Sequence, residues 1–298
     1  MKRILGAVVC TAVVCGIGVS ALAQVDTGGW GDVRGKITFS SDRGEFFQLY
    51  AMDLDGSNVT QLTHADGPVL QGKWSPDLTK VVYQAKVRGN WEVFVADADG
   101  RNARRLTDNE SWDYHPSWSP DGKQITFQSD RSGKSDIWVM NADGSDPRQI
   151  THGQGKCFHP VWSPKGDRIA FHCNCAGQFE ICTVSVDGDD PECLTNNPAY
   201  DGWPAWSPGG EQVAFQSFRD GNGEIYVMNA DGSDQRKVTR SPGNENHPNW
   251  SPDGRQLVYD SDRNGDYDIY VMDLASHAEA RLTDSPSCDW YPFWVGGR

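Results

Sequence analysis

The sequence predicts an all-β protein, a six-bladed β-propeller with four antiparallel strands per blade that is closed by its C-terminal strand. Three observations predict it: a tryptophan recurring every 44 residues, four strand-like segments in each interval, and a second-strand motif that occurs six times. Trp30, Trp74, Trp118, Trp162, Trp206, Trp250 and Trp294 each follow the one before by 44 residues. An interval that never slips marks a structural repeat, because stacked units accept insertions only where packing survives. The repeated indoles are expected in the core. Each can bury about 150 to 250 Å², an upper bound of roughly 4 to 6 kcal/mol.

The unit around Trp118 shows the four strands in order: Tyr114 to Ser119, Ile125 to Ser129, Asp136 to Met140 and Arg148 to Thr151. Apolar and aromatic residues alternate or cluster over these short stretches, and no helical period of 3.6 interrupts them. Ser119-Pro120-Asp121-Gly122 joins the first two strands and Asn141-Ala142-Asp143-Gly144 joins the last two. Glycine supplies the positive backbone angle that such tight turns require.

The second-strand motif gives the blade number, with starts at Ile37, Val81, Ile125, Ile169, Val213 and Leu257. The first-strand motif is displaced by one unit, since Trp290-Tyr291-Pro292-Phe293-Trp294 follows the sixth blade and no equivalent precedes the first. The C-terminal strand should therefore pair with the strand at Ile37 and close the ring, removing its open edges. Trp30 keeps the spacing without a preceding strand and is expected on the rim.

Residues 1–23 read as a secretory leader: Lys2 and Arg3, an apolar run from Ile4 to Val19, and the small-x-small site Ala21-Leu22-Ala23. A retained membrane anchor is the competing reading of that run. Residues 24–35 form a lead-in and 36–298 the propeller, a single domain without internal linkers. Loss of Lys2 and Arg3 takes the net charge from −14 to −16. A chain that acidic repels phosphate backbones, so nucleic acid is excluded as a partner. A periplasmic or secreted monomer is expected.

The string Trp-Ser-Pro-Asp-Gly, an apolar strand, Ser-Asp-Arg-x-Gly, Asp-Ile-Tyr-Val-Met-Asn-Ala-Asp-Gly and Leu-Thr resembles the repeat of TolB-type propellers. Trp118 to Thr151 and Trp250 to Thr283 match it nearly throughout, and the likeness covers residues 36 to 298. The resemblance implies a periplasmic propeller that binds other envelope proteins. TolB also carries an N-terminal α/β domain, for which this sequence has no corresponding segment.

The repeats form an internal alignment. The Ser-Pro-Asp-Gly and Asn-Ala-Asp-Gly turns at one end barely vary, whereas the loops at the other end vary freely, and variable loops on a rigid scaffold are where binding resides. Superposed, these loops place Asp113, Asp201, Glu245 and Asp289 at one position, with Cys157 and Val69 in the remaining blades. Two residues on come His115, His159, Trp203, His247, Tyr291 and Gln71. An acidic ring and an aromatic/imidazole ring at the channel mouth are expected, flanked by Trp112, Tyr114 and Trp290. That face suits a cationic peptide, or a sugar stacked on Trp112, Trp203 or Trp290. The plain structural alternative has the carboxylates capping loop amides and the histidines packing on the following prolines.

His115, His159 and His247 are weak candidates for a metal, because they are spaced unevenly around the axis. Asp262-x-Asn264-x-Asp266-x-Asp268 resembles a calcium loop but has Tyr267 where glycine belongs. Five cysteines, Cys157, Cys173, Cys175, Cys182 and Cys193, fall in one blade. In an oxidising compartment they should form one bridge from Cys157 to Cys173 or Cys175 and one between Cys182 and Cys193, with Cys288 unpaired. A zinc cluster of Cys157, His159, His172, Cys173 and Cys175 is the alternative.

No Gly-x-Ser-x-Gly elbow, His-Glu-x-x-His or phosphate-cradling glycine loop occurs. The expectation is a non-enzymatic scaffold for an envelope protein or peptide, without cofactor. The alternative is a carbohydrate-binding protein or metal-dependent polysaccharide lyase.

Overall fold

The structure is a computed structural model that describes residues 30–296 except 154 and 176, so the leader lies outside the described residues. Six four-stranded antiparallel sheets account for the fold, and no α-helix occurs among the described residues. None of those residues forms a helix long and apolar enough to cross a membrane.

In the third blade the strands are Asp113–Trp118, Gln124–Ser129, Asp136–Asn141 and Arg148–Gln149. The fourth is shorter than expected because a side chain takes over its ladder. Thr151 Oγ1 accepts the Ile137 N–H at 2.9 Å and donates to Asp136 Oδ1 at 2.9 Å. The same threonine device recurs in every blade, with Thr63, Thr107, Thr195, Thr239 and Thr283 each accepting a third-strand N–H. It explains the Leu-Thr signature: a buried hydroxyl satisfies a backbone donor that would otherwise be stranded.

The first blade is closed by the chain terminus. Asp289–Val295 pairs antiparallel with Lys36–Ser41, placing Trp294 opposite Ile37 and Asp289 opposite Ser41. Apolar packing is divided among six clusters, each joining neighbouring blades. Trp118 and Trp250 reach across these seams and donate indole N–H bonds to the carbonyls of Lys73 and Ala205. Trp206 and Trp294 are half-buried, whereas the remaining repeated indoles are buried.

Trp30 is 8 % exposed and packs between the first two blades. Its ring sits 6.2 Å from that of Trp74, and its backbone N–H donates to Asp99 O. Gly100, at φ +81°, lies directly against the indole, so a Cβ there would collide with it.

Candidate functional site

Every first strand carries a bulge, and the residue at it points toward the axis. Gln71, His115, His159, Trp203, His247 and Tyr291 occupy equivalent positions, and all six have φ between 49° and 58°. Positive φ is uncommon outside glycine. Six occurrences at one interval identify a built feature, since a bulge re-aims the side chain it carries. The ring foreseen in the sequence is therefore present, but it closes the channel. Trp203 lies over the axis, with ring centroids 4.5 Å from His159, 4.2 Å from His247, 5.6 Å from His115 and 5.8 Å from Tyr291.

A second ring holds the first, and the sequence reading missed it. Ser40, Gln84, Gln128, His172, Gln216 and Asp260 are buried polar residues on the second strands, again 44 apart. The signal was available as one polar residue directly after the aromatic of each second-strand motif. His115 N–H donates to Gln84 Oε1 at 2.7 Å, Trp203 N–H to His172 Nδ1 at 3.2 Å, and Tyr291 N–H to Asp260 Oδ1 at 3.2 Å. Within blades, His115 Nδ1 bonds Gln128 and His247 Nδ1 bonds Asp260 at 2.7 Å. Burial pulls His115 and His172 down to about 3 and His159 well below its ordinary value, so these imidazoles are neutral at pH 7. Desolvation likewise raises Asp260.

The acidic residues do share one position, but they do not form a solvent-facing ring. Asp113, Asp201, Glu245 and Asp289 are each fully buried and paired with Arg131, Arg219, Arg263 and Arg43 of the same blade. Neither a cationic ligand nor amide capping is their main business: burying a carboxylate requires a partner charge. The arginines also stack on aromatic rings, Arg263 at 4.3 Å from the Tyr270 centroid and Arg219 at 4.5 Å from Tyr226. Desolvation raises Glu245 to about 7 despite its arginine. The loss of the ion pair in two blades was legible in the repeats. Where the acid is replaced by Val69 or Cys157, the position 18 residues on holds Val87 or Cys175 instead of arginine.

Around the plug the variable loops carry an aromatic rim. Trp112 is 51 % exposed. Tyr114 is half-buried between Trp91 and Trp112, at centroid distances of 5.8 and 6.0 Å, and Trp290 stacks on Phe47 at 5.0 Å. Trp91, Trp112, Tyr114, Lys134, Lys156 and Phe158 border one cleft on this face.

His115, His159 and His247 do not converge on a common point suited to a metal, because Trp203 stands between His159 and His247. The calcium-like run is committed to protein bonds, Asp262 accepting the Asn244 N–H at 2.6 Å and Asp268 pairing with Arg281 at 2.6 Å. Cysteines pair as Cys157–Cys173 and Cys182–Cys193, one bridge in each expected group, leaving Cys175 and Cys288 as thiols. The bridges consume the cysteines that a zinc cluster would need.

A family model described as the TolB beta propeller domain matches residues 64–202 and 192–295. No curated protein matches the chain. Among solved structures, TolB from Acinetobacter baumannii is 20% identical with a TM-score of 0.79, covering 91% of this chain and 69% of that one. A putative TolB from Agrobacterium tumefaciens is 20% identical with a TM-score of 0.71, covering 85% of this chain and 90% of that one. An oligogalacturonate lyase in complex with manganese is 18% identical with a TM-score of 0.61, covering 83% of this chain and 73% of that one. At these identities the likeness shows the fold alone.

Proposed function

The chain belongs to the TolB β-propeller domain family, and from that premise we propose that it is an exported, non-enzymatic scaffold binding a protein or peptide of the cell envelope through its variable loop face. The observation that carries this reading is the aromatic rim, above all Trp112, which is 51 % exposed and continuous with the cleft lined by Trp91, Tyr114 and Phe158. Amphipathic aromatics with low rotamer entropy are the usual anchors of protein interfaces. Because Trp203 fills the axis and the carboxylates are withdrawn into ion pairs, the partner engages the rim and not an acidic channel mouth. Two disulfides support an oxidising, periplasmic or extracellular setting.

The test is capture of envelope proteins on the immobilised chain, comparing wild type with Trp112→Ala/Trp290→Ala and with Asp121→Asn on the opposite end. Loss of the captured protein with the first variant and retention with the second supports the reading. Equal capture by all three overturns it, as does turnover of acidic oligosaccharides by the purified chain.

A further inference from the structure

Below the plug, on the side of the Ser-Pro-Asp-Gly turns, the axis opens into a cavity of about 220 Å³. It extends from His159, His247 and Tyr291 down to the exposed Pro208. Its wall is a third ring 44 residues apart: Lys73, Ser117, Val161, Ala205, Asn249 and Phe293. In a chain of net charge −14, no carboxylate among the described residues lines this space, and the sole basic side chain among them besides histidine is Lys73.

Three groups around the cavity carry hydrogen-bonding capacity that the protein does not use. Among the described residues, Lys73 Nζ has no ion-pair or hydrogen-bond partner, and desolvation alone pulls the ammonium down to about 8. Both amide atoms of Gln71, which is 3 % exposed, and Nδ1 of His159, which is 8 % exposed, are also buried without partners. Folded proteins satisfy nearly all buried polar atoms, so two buried side chains left unsatisfied beside an unpaired lysine on one cavity mark a site arranged for something else. Lys73 itself is half-buried, and its ammonium borders the cavity without a counter-charge among the described residues.

We propose that this cavity is a binding site for a small carboxylate, with Lys73 as its counter-charge, Gln71 and Ser117 as hydrogen-bond donors, and Val161, Ala205 and Phe293 as the apolar wall for the acid's carbon body. One ammonium balances one carboxylate, whereas a phosphate dianion would bring excess charge into an apolar wall. The acid enters from the end of the Ser-Pro-Asp-Gly turns, so this site is separate from the variable loop face and independent of the partner proposed for it. A free organic acid and the C-terminal carboxylate of a peptide both present this chemistry.

The test uses the intact chain with butyrate, inorganic phosphate, and a short peptide with either a free or an amidated C-terminus. Acetylation of Lys73 is followed by mass spectrometry and binding by calorimetry. Butyrate or the free-terminus peptide should slow acetylation of Lys73, and Lys73→Met should weaken binding by about tenfold or more, the loss expected for one charge-assisted bond. Protection by the free-terminus peptide beyond that by butyrate assigns a peptide ligand, and protection by butyrate without the peptide assigns a free acid. Absence of protection by either, undiminished binding to Lys73→Met, or equal protection by phosphate overturns the proposal. The labelling arm uses the wild-type chain, so it holds even where the variant misfolds.

Discussion

Asp289 and Arg43 stand 246 residues apart in the chain, yet Oδ2 of the carboxylate accepts a bond from the guanidinium at 2.6 Å. In three other blades the same pair spans 18 residues: Asp113 with Arg131, Asp201 with Arg219 and Glu245 with Arg263. Displacing the first strand to the chain terminus has turned a local contact into a latch. Asp289→Ala leaves Arg43 without its buried partner and should cost about 3 kcal/mol, the lower end for breaking such a pair because Arg43 is itself partly exposed. An equilibrium denaturation curve with an unchanged midpoint would contradict the latch.

Trp162 is 9 % exposed and packs with residues of both the third and fourth blades. Trp162→Ala should destabilise the ring by about 3 to 5 kcal/mol through the cavity it leaves. An unaltered thermal melting temperature would show that the repeated indoles are not structural.

Cys157–Cys173 takes the place in the fourth blade that an ion pair holds in four others, closing a 16-residue separation, and Cys182–Cys193 closes one of 11. Reduction should therefore lower stability by about 2 to 4 kcal/mol per bridge. Differential scanning calorimetry with and without reductant checks this, and coincident transitions would refute it.

The buried histidines set an acid limit. His115 and His172 titrate near 3 when folded, held there by burial, and near 6.5 when unfolded. Their stabilising contribution is complete above pH 6.5 and falls by about 1.4 kcal/mol per pH unit for each as the pH drops toward 3. Glu245, raised to about 7, acts in the opposite sense between 4.5 and 7, and Asp260 shares its direction. His159 adds to the histidine side, so stability should decline on acidification from pH 6.5. His172→Gln should flatten that decline, and a profile identical to wild type would discount the histidine account.

The fold was legible because period, turn chemistry and strand pattern agree in every unit. The residue 44 positions away reports the same environment, so Asp113, Asp201, Glu245 and Asp289 could be superposed without coordinates. Their burial could not be read that way, because a carboxylate facing solvent and one facing arginine look alike until the loop holding Arg131 or Arg43 folds back on the strand. The inner ring of Gln84, Gln128 and His172 was overlooked for a related reason. Polar residues inside an apolar strand read as its solvent face, whereas here Gln84 and His172 meet the backbone of the next blade and Gln128 meets the His115 ring of its own.

By itself the sequence determined the number of blades, the closure by the terminal strand and the positions that share each ring, since these follow from repetition along the chain. Only the tertiary structure decided that Trp203 plugs the axis, that the carboxylates turn inward, and that Lys73 faces a cavity without a counter-charge. Equivalent positions fix where six side chains meet, but which of them fills the shared centre depends on their sizes and charges together, and that is a property of the closed ring.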